Sequence, residues 1–96
     1  MLERDYQSEL KKKISEMFPG CEILKNDPRL KQGFPDLLIL YKDHWAALEV
    51  KRSEKASKRP NQERRIKKLS KMSFASFIFP ENETEVLHEL QRSFKT

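Results

Sequence analysis

The sequence contains little of what stabilises or anchors several common classes of protein. It has one cysteine, Cys21, so no disulfide can form within the chain, which suits a reducing compartment. It has no cluster of cysteine and histidine, which argues against a structural zinc site. No apolar run approaches the roughly 20 residues of a transmembrane helix, and the polar N-terminus does not resemble a signal peptide. These absences predict a cytosolic chain without a membrane span.

The composition limits the size of the core and indicates the kind of partner. A chain of 96 residues predicts one domain with a modest core, and equal shares of hydrophobic and charged residues, 36% each, predict a thin and well-solvated fold. The formal net charge is +5 and the isoelectric point about 9.4. A basic chain favours a polyanionic partner, with nucleic acid ahead of an anionic membrane surface.

Apolar periodicity predicts an α/β fold with a small mixed β-sheet flanked by helices. The predicted elements follow the order α-β-β-β-α-β-α: helix 2–18, strand 21–24, strand 36–41, strand 45–51, helix 61–71, strand 74–79 and helix 83–94. Residues 42–44 predict a tight hairpin, which makes the second and third strands antiparallel. Asn82, with Glu85 three residues later, predicts a capping box at the last helix. Trp45 is interpreted as covering the sheet edge or the core, with base stacking as the alternative.

Charged residues stand at the ends of two apolar runs. Asp36 opens the first run, and Glu49 and Lys51 close the second. Alternate residues of a strand share a face, so Glu49 and Lys51 point the same way, and an antiparallel hairpin brings Asp36 beside Glu49. Buried carboxylates are costly without a partner, and Mg²⁺ is a hard cation that binds one or two carboxylates. The alternative is a turn residue at Asp36 and an exposed charge pair.

These residues carry a resemblance to a known family. The run GFPD at residues 33–36, a spacer, and the run EVK at residues 49–51 resemble the signature of the PD-(D/E)xK nucleases. The first run and Gln62 are most similar to the virus-type replication-repair nuclease (VRR-NUC) branch, and archaeal Holliday-junction resolvases are similar in layout. The resemblance spans roughly residues 3–80. It implies a restriction-endonuclease-like core and a single nuclease domain over residues 1–96.

The same resemblance implies roles for five residues. Asp36 and Glu49 would bind Mg²⁺, with Mn²⁺ as a substitute, and the Val50 carbonyl would complete the metal site. Lys51 would orient or deprotonate the attacking water and stabilise the transition state. Gln62, on the helix after the third strand, would hydrogen-bond a metal-bound water or a phosphate.

The resemblance also implies a further carboxylate from the first helix. Glu3 is the preferred ligand and Glu9 the runner-up, and the spacing from Glu3 to Gln7 resembles the VRR-NUC first-helix pattern. The alternative for Glu3 is an acid that complements the helix dipole. The spacing from Ser57 to Gln62 is two residues longer than the usual Ser-x-x-Gln, which leaves the role of Ser57 open.

Positive charge is concentrated after the third strand. Half of all lysines and arginines lie in residues 51–71, which favours contact with phosphates over a merely solvated helix face. Two further cations precede the Gly-Phe-Pro-Asp run and could be solvated loop charges. The residues predicted to contact nucleic acid are Arg29, Lys31, Arg52, Lys55, Lys58, Arg59, Arg64 and Arg65.

Together these interpretations predict a metal-dependent endonuclease that hydrolyses DNA phosphodiester bonds. The resemblance implies branched or structured DNA, such as Holliday junctions or flaps, a phage-like origin, and host cytoplasm as the location if the chain is viral. A homodimer would place two sites across a junction. The alternatives are a non-catalytic nucleic-acid-binding module and a sequence-specific homing or restriction-type endonuclease. DNA is not distinguished from RNA at this point.

Overall fold

The apolar runs form the strands and the segments of helical periodicity form the helices, each within one residue of the predicted bounds. The computed structural model describes residues 1–27, 29 and 31–95. The elements are α1 (Glu3–Met17), β1 (Glu22–Lys25), β2 (Leu37–Tyr41), β3 (His44–Val50), α2 (Pro60–Ser70), β4 (Phe74–Ile78) and α3 (Glu83–Phe94). The predicted α/β class and element order are confirmed. No helix in these residues is long and apolar enough to cross a membrane.

The sheet is mixed and its strands lie in the order β1-β2-β3-β4. The pairs β1–β2 and β2–β3 are antiparallel, and β4 is parallel to β3. The hairpin between β2 and β3 is shorter than predicted, because His44 already pairs with Tyr41 and only Lys42 and Asp43 form the turn. A parallel pair needs a crossover connection, and α2 lies in the one from β3 to β4.

The two faces of the sheet differ in what covers them. One face carries fully buried residues such as Leu37, Leu48 and Ile78, which pack with α1 and α3 in the main hydrophobic core. Because strand residues alternate, the other face carries the positions between them, including Glu49. Helix α2 packs on this second face against β3 and β4. The charged ends of the strands therefore open toward α2 and away from the main core.

The capping box predicted at α3 does not form. Asn82 is the N-cap residue, but its side chain makes no hydrogen bond to the first turn of the helix. Its Oδ1 instead accepts a hydrogen bond from the Phe79 N–H at 2.8 Å, and its own N–H donates to the Phe79 carbonyl at 3.0 Å. Both groups that a capping box requires are thus engaged with the turn that follows β4, where Pro80 has no N–H to continue the ladder.

Candidate active site

The strand register brings Asp36 beside Glu49. Leu37 pairs with Leu48, so Asp36 and Glu49 are the next opposed positions, just beyond the last backbone pair. The Asp36 carboxylate accepts a hydrogen bond from the Val50 N–H at 2.9 Å and so replaces the missing backbone partner. The N–H and C=O of a strand residue point to the same side, so the Val50 carbonyl also faces β2. The predicted convergence of these three residues is present.

Glu49 is a buried acid with little compensation. The residue is 5% exposed. Burial raises its pKa to about 8, and the neighbouring Asp36 carboxylate, which also shares a hydrogen bond with it, acts in the same direction. The ammonium of Lys51, with Nζ 3.8 Å from Glu49 Oε2, opposes this rise without cancelling it. Without a further cation, Glu49 therefore keeps its proton up to about pH 8.

Gln62 links the two strand residues to α2. Its Nε2 donates to Glu49 Oε2 at 3.2 Å, and its Oε1 accepts from Lys51 Nζ at 3.0 Å. The same Oε1 accepts from the Arg59 N–H at 3.1 Å, which fixes the side chain at the start of the helix. Gly33 packs closely here, since a Cβ at this residue would lie 2.9 Å from Asn61 Nδ2. The first turn of α2 is thus fitted between the Gly-Phe-Pro-Asp loop and the carboxylates.

The first helix contributes Glu3 and not Glu9. Partial burial raises the pKa of Glu3, and repulsion from the Asp36 carboxylate adds to it, while Lys51 acts against the rise. Glu3 therefore lies within electrostatic range of the site. Glu9 acts on Tyr6 and Lys13, on a different side of the helix. Of the two candidates for a first-helix carboxylate, the geometry favours Glu3.

The donor set suits a hard divalent cation. In the described part of the chain no group of three or more histidine, cysteine, aspartate or glutamate side chains is arranged to hold a metal ion. Magnesium sites commonly use only one or two carboxylates and keep several waters. The two carboxyl groups of Asp36 and Glu49 are therefore enough protein ligands for such a site. The Glu49 pKa is raised first by burial and then by repulsion from Asp36, and a cation bound between the two carboxylates would stabilise the charged form of Glu49 against both effects. The residues present fit a bound Mg²⁺ of this kind.

The basic residues after β3 divide into two groups. Lys58 Nζ lies over the rings of Phe77 and Phe79, 5.3 Å from each centroid. Arg52 is close enough to lower the pKa of Glu3, whereas Lys55 is exposed in the loop. A second group lies on α2 itself. It lines a groove of about 230 Å³ that is formed by Asn61, Arg64, Arg65 and Lys68. Arg59, at the start of α2, is exposed.

Arg29 and Lys31 lie in a turn that satisfies Arg29 internally. The Arg29 guanidinium contacts both carboxylate oxygens of Asp27, with the shortest distance 2.8 Å, and the backbone N–H of Arg29 donates to Asp27 Oδ1 at 2.9 Å. The Asp27 carboxylate is therefore engaged by Arg29 within this turn. Lys31 is exposed, and its N–H donates to the Asp27 carbonyl. Both remain predicted phosphate contacts, with the Arg29 charge already paired.

Two residues at or near the site received no role from the sequence. Asn61 contacts the Gly33 loop, and nothing in its local sequence distinguishes it from a polar helix residue. Gln7 is buried, one helical turn after Glu3. Its position could have been predicted from the sequence, because residues four apart share a helix face and Gln7 therefore lies on the same face of α1 as Glu3. His44, by contrast, lies at the hairpin end and stacks on Phe94, with the ring centroids 5.7 Å apart.

A scan against protein-family models, a search of curated proteins and a search of solved structures each find no match for this chain. Its function is therefore argued from the arrangement of its own residues. That arrangement is the buried Glu49 carboxyl beside the half-buried Asp36 carboxylate, with an ammonium group and an amide on the same face of a mixed sheet and a basic helix next to them.

Proposed function

We propose that this chain is a Mg²⁺-dependent deoxyribonuclease, an endonuclease that hydrolyses DNA phosphodiester bonds. The observation that carries the proposal is the hydrogen-bonded network in which Gln62 joins Glu49 to Lys51, with Asp36 beside Glu49. The pKa of Glu49 is raised first by burial and then by the neighbouring Asp36 carboxylate, and a carboxyl perturbed in this way lowers the stability of the fold once it is ionised. Such costs are concentrated at functional sites, where the perturbed charge is used.

The chain's own residues divide the work of hydrolysis. Asp36 and Glu49, with the Val50 carbonyl and Glu3 at the edge, would hold the cation. When bound there, Mg²⁺ lowers the pKa of a coordinated water and neutralises charge that develops on the phosphate. Lys51 is a three-donor point charge whose side chain is 12% exposed, so little water competes with a phosphate or an attacking water for its N–H groups.

Gln62 positions Lys51. Its Oε1 accepts from the ammonium and from the Arg59 N–H, so the amide orientation is set by the start of α2. The remaining Nε2 donates to Glu49. An amide held in this way keeps both charged groups in place before the substrate binds, which lowers the ordering cost of reaching the transition state.

The charge distribution supports DNA as the substrate. The net charge is +5, and a basic groove follows α2 on the same side of the sheet as the carboxylates. Branched or structured DNA, such as Holliday junctions or flaps, is the proposed class, by resemblance to VRR-NUC enzymes and junction resolvases. A homodimer that spans a junction is part of this proposal. Light scattering at micromolar concentration that shows only monomer would refute the dimer.

The test is cleavage of end-labelled linear duplex, single strand, flap and four-way junction, each with Mg²⁺, Mn²⁺ or EDTA. We expect wild type to cut in either metal and not in EDTA. Lys51→Ala should reduce the rate at least 100-fold, in line with the loss of a charged transition-state contact. Lys12→Ala, which removes an exposed lysine of α1, is the matched control and should cut as wild type does. Cutting that persists in Lys51→Ala would contradict the assignment.

A non-catalytic nucleic-acid-binding module is the second candidate, and one observation favours it. The Glu49 carboxyl already receives a hydrogen bond from Gln62 and lies near Lys51, so the network is partly satisfied without a metal. This candidate predicts binding that survives EDTA, no cleavage by wild type, and a Glu49→Gln variant that binds DNA as wild type does. Metal-dependent cutting abolished by Lys51→Ala would exclude it.

A further inference from the structure

The face of the sheet that carries the carboxylates continues into an exposed apolar surface. Leu38 and Leu40 alternate along β2 in step with Asp36, and Trp45 alternates along β3 in step with Glu49. Helix α2 packs on the part of this face that β3 and β4 form, away from β2. Leu40 is 39% exposed and stands directly opposite Trp45 in the sheet.

This surface forms a shallow cavity of about 390 Å³, here called the apolar patch. Its lining residues are Phe34, Leu38, Leu40, Trp45, Leu69 and Met72. Met72, two residues after the end of α2, is 61% exposed. Scattered exposed apolar residues need no explanation, whereas a contiguous apolar surface with a polar rim is a candidate binding surface.

The rim of the apolar patch is basic. The groove lined by Asn61, Arg64, Arg65 and Lys68 runs along the same helix that contributes Leu69 to the patch. Arg65 joins the two surfaces, because its guanidinium carbon lies 5.8 Å from the centroid of the Phe34 ring. An aromatic and apolar floor beside a row of cations is the combination with which proteins bind single-stranded nucleic acid, since bases stack on the floor and phosphates follow the cations.

We propose that the apolar patch docks unpaired bases of a single-stranded segment whose backbone follows the basic groove. The inference rests on the proposed function and narrows its substrate to DNA with an unpaired arm, such as a flap, in preference to fully paired duplex. Trp45 and Glu49 are four positions apart on β3, a distance of about 13 Å along an extended strand. A strand seated on the patch would therefore pass close to the carboxylates.

A second copy of the chain fits this surface less well. A two-fold interface would set the apolar patch against the same patch of the partner. The cations at the rim, Arg64, Arg65 and Lys68, would then approach their own copies, and like charges across an interface oppose association. A polyanion has the complementary charge.

The single tryptophan makes the proposal directly measurable. The Glu49→Gln variant is kept in EDTA so that no strand is cut. It is titrated with an oligothymidine single strand, with a duplex of equal length, and with an abasic single strand that keeps the phosphates. We expect the single strand to quench Trp45 emission, the duplex to change it little, and the abasic strand to bind, by anisotropy of an end label, without quenching.

Substitutions at Trp45 give a second readout. Trp45→Leu should weaken single-strand binding about tenfold while leaving duplex affinity unchanged, and Trp45→Phe, which keeps a ring for stacking, should retain most of the affinity. Single-strand binding with unchanged Trp45 emission, or equal quenching by duplex, would overturn the proposal. So would Trp45 emission that depends on protein concentration together with a dimer that Trp45→Leu abolishes.

The outcome separates this inference from the nuclease proposal. Base-dependent quenching in Glu49→Gln combined with a wild type that never cuts would leave the docking surface standing and refute the nuclease. Metal-dependent cutting of duplex without any quenching by single strands would do the reverse. Preferred cutting of flaps that falls to the duplex rate in Trp45→Leu would support both.

Discussion

Glu49 occupies a position that lowers the stability of the fold when its carboxyl is ionised. Its carboxyl is buried among apolar strand residues, next to a second carboxylate, and its pKa rises to about 8, first because of burial and then because of Asp36. A buried charge is tolerated where other groups compensate it, and here Lys51 and Gln62 compensate it only in part. The protonation of this one side chain should therefore be visible in the stability of the whole chain.

Glu49→Gln should flatten the dependence of stability on pH. The carboxyl has an ordinary pKa of 4.5 when unfolded and about 8 when folded, so between these values only the folded chain holds the proton. The free energy of unfolding of wild type therefore falls as pH rises through this window. Glutamine carries no such charge and should be more stable than wild type at pH 8.5 by roughly 1–3 kcal/mol, with little difference at pH 4.5.

The measurement is urea unfolding at both pH values in EDTA. Glu85→Gln, which removes an exposed acid on α3, is the matched control and should keep the wild-type profile. Parallel pH profiles for wild type and Glu49→Gln would show that Glu49 is not protonated in the folded chain.

Magnesium should stabilise wild type through the same carboxylates. A ligand at tenfold excess over its dissociation constant adds about 1.4 kcal/mol to the free energy of unfolding, which raises the melting temperature of a domain this size by several degrees. The rise should be larger at pH 8.5 than at pH 6, because the metal must displace the proton on Glu49. Asp36→Asn and Glu49→Gln should lose it.

Thermal melts in MgCl₂ and in KCl of equal ionic strength measure this effect and separate it from salt screening. An equal rise in both salts, or a rise retained in both variants, would argue against a metal at this pair.

At the scale of elements, the turn of the β2–β3 hairpin sets the register that opposes Asp36 to Glu49, and the backbone of this turn is strained at Lys42. Lys42 has a φ of 55°, in the left-handed region that costs a residue with a side chain about 1–2 kcal/mol. Its ammonium lies over the Tyr41 ring at 5.2 Å, an exposed contact worth about 0.5 kcal/mol. Glycine would therefore adopt the backbone conformation of residue 42 with less strain than lysine does.

Lys42→Gly should stabilise the chain by about 0.5 kcal/mol, once the relief of strain is set against the lost ring contact and the greater entropy of unfolded glycine. Asp43→Gly, in the same turn but without a positive φ, is the control and should be destabilising by a similar amount. Guanidinium unfolding of the two variants measures the difference. A Lys42→Gly variant no more stable than Asp43→Gly would mean that the turn is not strained at Lys42.

Helix α2 is the element that joins the candidate site to the candidate substrate surface. Gln62 in its first turn contacts Glu49 and Lys51, and Arg64 and Arg65 in the middle line the basic groove. Leu69 in its last turn lines the apolar patch. The sequence predicted the helix, its charge and the place of Gln62. It did not predict the apolar patch, because Leu40 and Trp45 alternate as core residues do, and only the position of α2 leaves them partly exposed.

For the whole molecule, the net charge of +5 predicts DNA binding that weakens steeply with salt. Each phosphate neutralised by a cation contributes about −0.9 to the slope of log K against log salt on duplex DNA. Arg64→Ala, in the basic groove, should weaken binding at all sequences and make the slope less steep by about 0.9. Arg92→Ala on α3 is the matched control and should leave the slope unchanged. Equal slopes for both variants, from anisotropy between 50 and 200 mM salt, would place the DNA elsewhere.

The sequence by itself determined the elements and their order, because the apolar period assigns strands and helices. It also placed Asp36 and Glu49 at the same end of a β-hairpin. Their direct opposition depends on the two-residue turn of the structure, which is one residue shorter than the turn predicted from the sequence and sets the register in which Leu37 pairs with Leu48. The capping box predicted at Asn82 was wrong because the prediction used the local sequence alone. The Asn82 side chain instead accepts a hydrogen bond from Phe79, in a turn whose position depends on where β4 ends.

Tertiary structure alone decided what depends on the meeting of distant segments. It determined that Glu3 and not Glu9 lies near Asp36, that Gln62 holds Lys51, and that the Asp27 turn binds Arg29. It also determined how strongly Glu49 is perturbed, because a pKa depends on the burial and charge that all packed elements impose together. Periodicity assigns a side chain to a face of the sheet, but only packing determines what covers that face.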